Sequence, residues 1–126
     1  MLHHVTLWVP DLDRANESWG WLLDRLGYTQ APPLDGLALW RHPSGFAIAL
    51  ERSDDMVPGM LYSRLRPGLN HLAFLTEAAT LPGLVADAGD HGWAELPWDR
   101  HRIAGGADVA YLEDRDGFEV ELVAPR

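Results

Sequence analysis

The sequence contains no cysteine. Disulfides, thiolate metal ligands and cysteine nucleophiles are thereby excluded, and any metal site has to be assembled from histidine and carboxylates. Lysine is absent as well: all ten basic residues are arginine, against 19 acidic ones, for a formal net charge of -9. An acid excess of that size argues against nucleic acid, whose phosphates need a cationic partner surface. It argues equally against an anionic membrane surface. No apolar run reaches the roughly 18 residues of a membrane span. The start, MLHHVTLWVPD, shows no cationic stretch followed by an apolar one and is interrupted by two histidines. It reads as a strand rather than a signal peptide, and cytoplasmic location is the default expectation.

The chain of 126 residues suffices for one compact domain, and its 47% apolar content is that of a globular chain rather than a disordered one. Six tryptophans imply either a large core or a cavity with aromatic walls.

One structural unit is written twice. Leu2 to Val9 reads as a strand ending at Pro10. Asp11 then offers an N-cap, and Leu12, Ala15, Trp19, Leu22, Leu23 and Leu26 form one apolar helical face closed by Gly27. Tyr28 to Ala31 is extended, and Leu37 to His42 and Phe46 to Arg52 are strands joined at Pro43-Ser44-Gly45. Residues 53–67 lack periodicity and read as a linker. The order then resumes. Leu69 to Leu75 is a strand, and Leu81, Leu84, Val85 and Ala88 mark a helix with Pro82 in its first turn and Gly92 after it. Trp93 to Leu96 is extended, and Ala107 to Leu112 and Phe118 to Val123 are a last strand pair. Positions 2–7 lie over 69–74, Gly27 over Gly92, and Gly45 over Gly117, at offsets that stay within a few residues. The predicted fold is α+β: two βαβββ modules, about 1–52 and 68–126, forming a paired, half-barrel-like mixed sheet with a covering helix on each module.

His4 and His71 occupy the same place in the first strand of each half, and Glu121 shares one face of the last strand with Glu119 and Val123. Such groups are costly to bury in a strand unless paired or ligated. Two repeat-related histidines and a carboxylate suit a divalent ion with open positions, such as Fe, Mn, Ni, Co or Zn. His3 is expected on the opposite strand face from His4, and His42 and His91 fall at turn or helix-end positions, so none of these three is assigned a role. His101, in the loop-like DRHRIAGG, could transfer protons if that loop closes over a site. Arg100 and Arg102 beside it read as solvated charge or as a clamp for a substrate carboxylate.

HHVTLWVPDLDRA, the helix ending LGY, GLNHLAF and DVAYLEDRDGFEVELV together resemble the vicinal oxygen chelate superfamily of glyoxalases, bleomycin-resistance proteins and extradiol dioxygenases. The resemblance covers nearly the whole chain. Its most specific part is the tail pattern Y-x-x-D-P-D-G-x-x-x-E-L, found here from Tyr111 to Leu122 with Arg115 in place of the proline. It implies metal ligands His4, His71 and Glu121. A fourth ligand position falls on Ala49, with Glu51 two residues on as a fallback, so the chain departs from the two-His, two-Glu pattern of glyoxalase I. Extradiol dioxygenases and fosfomycin-modifying thiol transferases keep a His, His, Glu triad with a tyrosine ten residues before the glutamate. That implies Tyr111 as a donor to a metal-bound substrate oxygen, and the dioxygenases imply His101 as acid or base. The resemblance further implies a homodimer and a small-molecule substrate. The function expected is a metal-dependent enzyme with glyoxalase-like or dioxygenase-like chemistry. The alternative is metal-independent sequestration of a small molecule or antibiotic in a groove lined by Trp8, Trp40, Trp93 and Trp98.

Overall fold

The computed structural model describes residues 1–97 and 107–126. The chain divides into two compact units, Met1–Leu61 and Tyr62–Arg126. The segment read as a linker is therefore shared out, and its last residues pack on the second unit.

The first unit runs β1 (His4–Trp8), α1 (Leu12–Arg25), β2 (Thr29–Gln30), β3 (Leu37–Arg41) and β4 (Ala47–Glu51), with sheet order β1-β4-β3-β2. Asp11, in extended conformation, accepts from the Arg14 amide at 3.0 Å and so starts α1. Gly27, at φ 89°, lets the chain leave the helix. The face of α1 carrying Ala15, Trp19, Leu22 and Leu23 is buried, as are Leu7, Ile48, Leu50 and Trp40 of the sheet. β1 lies parallel to β4, and β3 lies antiparallel to it.

The second unit repeats the plan with β5 (His71–Leu75), α2 (Leu81–Ala88), a 3-10 turn at Gly89–His91, β6 (Ala94–Leu96), β7 (Ala107–Glu113) and β8 (Glu119–Pro125), in sheet order β5-β8-β7-β6. Gly92, at φ 85°, follows the 3-10 turn as Gly27 follows α1. In the β7–β8 turn one Asp114 oxygen accepts from the amides of Asp116 and Phe118, both at 2.9 Å, which fixes a tight reversal at Gly117. Phe74, Leu84, Trp93, Leu112, Val120 and Leu122 form this unit's core. The fold is thus two four-stranded mixed sheets, each with its own helix, the βαβββ module twice over. No helix of the described residues is long and apolar enough to cross a membrane.

Tryptophan serves the cores here. Trp19, Trp40 and Trp93 are buried, while Trp8 is 46% exposed and donates to Glu51 Oε2 at 2.9 Å. Trp40 and Trp93 therefore do not wall an open groove, and Trp98 lies outside the described residues.

Trp40 also explains a glycine inside a helix. A Cβ on Gly20 would stand 2.7 Å from Trp40 Cζ2, and the ring is tethered through Nε1 to Asn16 Oδ1 at 2.8 Å. Gly20→Ala should therefore destabilise the protein by about 1–3 kcal/mol through overpacking, even though alanine is the better helix former by about 1 kcal/mol. Chemical denaturation measures this, and a neutral or stabilising result would show that Trp40 moves aside freely.

Candidate functional site

Strand register places the candidate residues. β5 lies parallel to β8 with His71 opposite Glu119 and Ala73 opposite Glu121, and β7 lies antiparallel to β8 with Tyr111 opposite Glu121. His71, Glu121 and Tyr111 therefore project from one sheet face in adjacent rows. His71 Nε2 lies 3.2 Å from Glu121 Oε2. The Tyr111 hydroxyl donates to the other oxygen, Oε1, at 3.1 Å.

Two residues given no role from the sequence set the chemistry of this group. The Asn70 amide nitrogen donates to the Arg64 carbonyl at 3.0 Å, so its Oδ1 is the atom that meets His71 Nδ1 at 2.7 Å. A carbonyl oxygen only accepts, so Nδ1 carries a proton. Nε2 is then left to face the Glu121 carboxylate. Two acceptors can stand that close only with a proton or a cation between them.

Arg64 is the second. Its Nη1 lies 2.7 Å from Glu113 Oε1 and its Nε 2.8 Å from Glu119 Oε2, a carboxylate whose side chain is only 2% exposed. Arg64 is held over the β7–β8 hairpin because Tyr62 stacks on Phe118, with centroids 4.0 Å apart, and donates to the Leu69 carbonyl. Glu119 shares the face with Glu121, as expected, but is compensated by Arg64. The two carboxylates thus meet different partners.

In the first unit His4 is opposite Ala47 and Thr6 opposite Ala49, the same rows as His71 and Glu119, and Ala73 and Glu121. The counterpart of Glu121 is therefore Ala49. Glu51 is the counterpart of Val123 by the same register, and one of its carboxylate oxygens, Oε2, accepts from Trp8. His3 Nδ1 lies 2.8 Å from His4 Nδ1. This corrects the expectation that His3 turns away. His3 stands to His4 as Asn70 stands to His71, one residue before it and hydrogen-bonded to the same ring nitrogen, and that correspondence was already present in the repeat. His42 bonds to Ser44 within its own turn, and His91 ends the 3-10 turn. His101, with Arg100 and Arg102, lies outside the described residues. Among the described residues, no three His, Asp or Glu groups gather as a ready metal cage. What the second unit supplies is a two-donor edge, the His71 nitrogen and the Glu121 oxygen, oriented by Asn70 and Tyr111.

The Tyr111 phenol is pushed up to about 12, first by burial and then by its hydrogen bond to Glu121. It is therefore a proton donor throughout the neutral range. Its folded pKa lies above the ordinary 10, so its contribution to stability is complete below pH 10 and is lost as pH rises through about 12. Absorbance titration of the metal-free protein should show tyrosinate forming above the ordinary range, with the latest component missing in Tyr111→Phe. An unchanged titration curve in that variant would contradict the assignment.

Residues 3–111 match the family model described as the glyoxalase/bleomycin resistance protein/dioxygenase superfamily. The chain is 33% identical over 127 residues to the uncharacterized protein YqjT of Bacillus subtilis strain 168, covering 98% of each chain. A solved structure from Bacillus halodurans, provisionally named a glyoxalase, superposes with a TM-score of 0.86 at 32% identity, covering 99% of this chain and 96% of that one. The fosfomycin resistance protein FosX of Listeria monocytogenes, solved with Mn(II) and sulfate, has a TM-score of 0.71 at 21% identity, covering 100% of this chain and 90% of that one, a likeness of fold.

Proposed function

Because the chain belongs to the glyoxalase/bleomycin resistance protein/dioxygenase superfamily, we propose that it is a metal-dependent enzyme whose divalent ion is held by His4, His71 and Glu121 and whose substrate is a small oxygenated molecule. The observation that carries this reading is the 3.2 Å approach of His71 Nε2 to Glu121 Oε2, with the proton of His71 engaged by Asn70 on the far side of the ring. A neutral imidazole and a carboxylate so placed are donors for Mn, Fe, Co, Ni or Zn. FosX, which shares the fold, is known with Mn(II) bound. Bound there, such an ion supplies Lewis acidity toward a substrate chelated through its oxygens.

The chain's own residues orient the donors. Asn70 fixes the tautomer of His71, and His3 meets the corresponding ring nitrogen of His4. Tyr111 spends its proton on Glu121, so its first role in this reading is to position that carboxylate. Its effect on a substrate oxygen, the role expected from the family pattern, would follow if the bond to Glu121 opens. Arg64 keeps Glu119 from competing with Glu121. His101 is the candidate proton carrier. Ala49 leaves the fourth ligand position without a donor, which favours a three-ligand enzyme over glyoxalase I chemistry. Sequestration of a drug against an aromatic wall is the weaker reading, because Trp40 and Trp93 are buried in the cores. We take the two modules to act as one domain within a homodimer.

Calorimetric titration of chelator-treated protein with Mn(II), Co(II), Ni(II) and Zn(II) tests the proposal. One ion per chain is expected, with binding abolished in His4→Ala, His71→Ala and Glu121→Ala. Tyr111→Phe should weaken affinity by about 10- to 100-fold if the residue positions Glu121, and should leave affinity intact while slowing turnover if it acts on substrate alone. Wild-type protein without metal affinity, or triad variants with unchanged stoichiometry, would sink the reading. Light scattering should give twice the 14.0 kDa chain mass, and a monomer would refute the dimer.

A further inference from the structure

We propose that Arg41, across Ala47 from His4 in the first module, binds an anionic group of the ligand, and that the ligand is a small carboxylate or phosphonate. This deepens the reading above by naming the substrate class, and rests on that reading for the claim that the anion belongs to a substrate.

His4 lies opposite Ala47, and Ala47 lies opposite Arg41, so the three form one row across β1, β4 and β3. The corresponding row of the second module is His71, Glu119 and Glu113. The charges of the two rows are reversed. In the second module the central and outer positions are both carboxylates, and Arg64 enters from outside the sheet to compensate them. In the first module the central position carries only a methyl group and the outer one a guanidinium. That guanidinium has no ion-pair or hydrogen-bond partner among the described residues. The one carboxylate on this face, Glu51, lies two rows away, opposite Leu37, and accepts from Trp8, so Arg41's own row holds no acidic group in a chain of net charge -9.

The same face is concave. A depression of about 300 Å³ is lined by His3, His4, Thr6 and Arg41 around Leu37, Leu39, Ala47 and Ala49, with Glu51 at the end away from Arg41. That volume is at the small end for ligand sites. The outer strands of a three-strand row are about 10 Å apart. Long side chains on both, with alanine between them, leave room for a carboxylate or phosphonate. An anion there would restore the pattern of the second module, in which an imidazole, an anion and a guanidinium succeed one another. The aliphatic floor would take the ligand's apolar part. The guanidinium would bind the anion through paired N–H donors.

The test uses benzoate and phenylphosphonate against the neutral isosteres benzamide and benzyl alcohol. Binding is followed by NMR at the Arg41 Nε–H and the Ala47 and Ala49 methyls. It is run on metal-free wild-type protein and again with Zn(II) added. The two anions should bind saturably and about tenfold more tightly than the neutral pair. That preference should vanish in Arg41→Gln and turn against the anions in Arg41→Glu. Equal binding of anions and isosteres, or a preference that survives in both variants, would overturn the proposal. A change of oligomer mass in Arg41→Glu, with no anion preference in wild type, would assign the guanidinium to a second copy and also overturn it. The two readings fail separately. Arg41-dependent anion binding in a protein that takes up no metal leaves this site standing and removes the metal. Metal uptake without anion preference does the opposite.

Discussion

In each module the first strand lies parallel to the last, β1 with β4 and β5 with β8. Parallel neighbours cannot be joined by a hairpin, so the chain must leave the sheet, cross it as a helix and return through two antiparallel strands. That constraint accounts for the order of elements in both halves. It also decides the site, because it sets the first-strand histidine beside the last strand, where the carboxylates stand. His71 meets Glu121 through this pairing, and Tyr111 is added by the antiparallel hairpin that precedes β8. The same rows in the first module carry His4, Ala47 and Ala49, so the positions held by Glu119 and Glu121 in one half are held by alanines in the other.

Charge compensation divides the work among three glutamates on adjacent strands. Glu113 and Glu119 share Arg64, and Glu119 is buried so deeply that an uncompensated charge there would be costly. Glu121 instead accepts a hydrogen bond from the Tyr111 hydroxyl on one oxygen and faces His71 with the other. A cation at that edge would therefore meet a carboxylate already aligned. The reorganisation that binding normally demands is reduced by hydrogen bonds made during folding.

Much of this was legible in the sequence, and for definite reasons. A histidine repeated at positions 4 and 71 marks a module boundary as well as a candidate ligand, because strand periodicity and the internal repeat agree there. The glycines at 27, 92 and 117 mark chain reversals that require positive φ. The departure at Ala49 followed from aligning Gly45 with Gly117, and the strand register gives the same correspondence. Arg64 was hidden because it lies in an irregular segment whose path is set by Tyr62 stacking on Phe118, a tertiary contact with no local periodicity. Asn70 and His3 were hidden because adjacent strand residues are expected on opposite faces. Both precede the first described residue of their strand, where alternation no longer governs the side chain. Trp40 and Trp93 read equally well as core or as groove wall until burial distinguished them.

The proposed metal ligands are His4, His71 and Glu121. Anomalous diffraction from crystals grown with Mn(II) tests this assignment most directly. A single strong peak per chain is expected, bonded at about 2 Å to His4 Nε2, His71 Nε2 and a Glu121 oxygen, with Asn70 and His3 still on the opposite ring nitrogens. Density for an ion bound by His71 and Glu121 without any His4, or no peak at these residues at full Mn(II) loading, would contradict it.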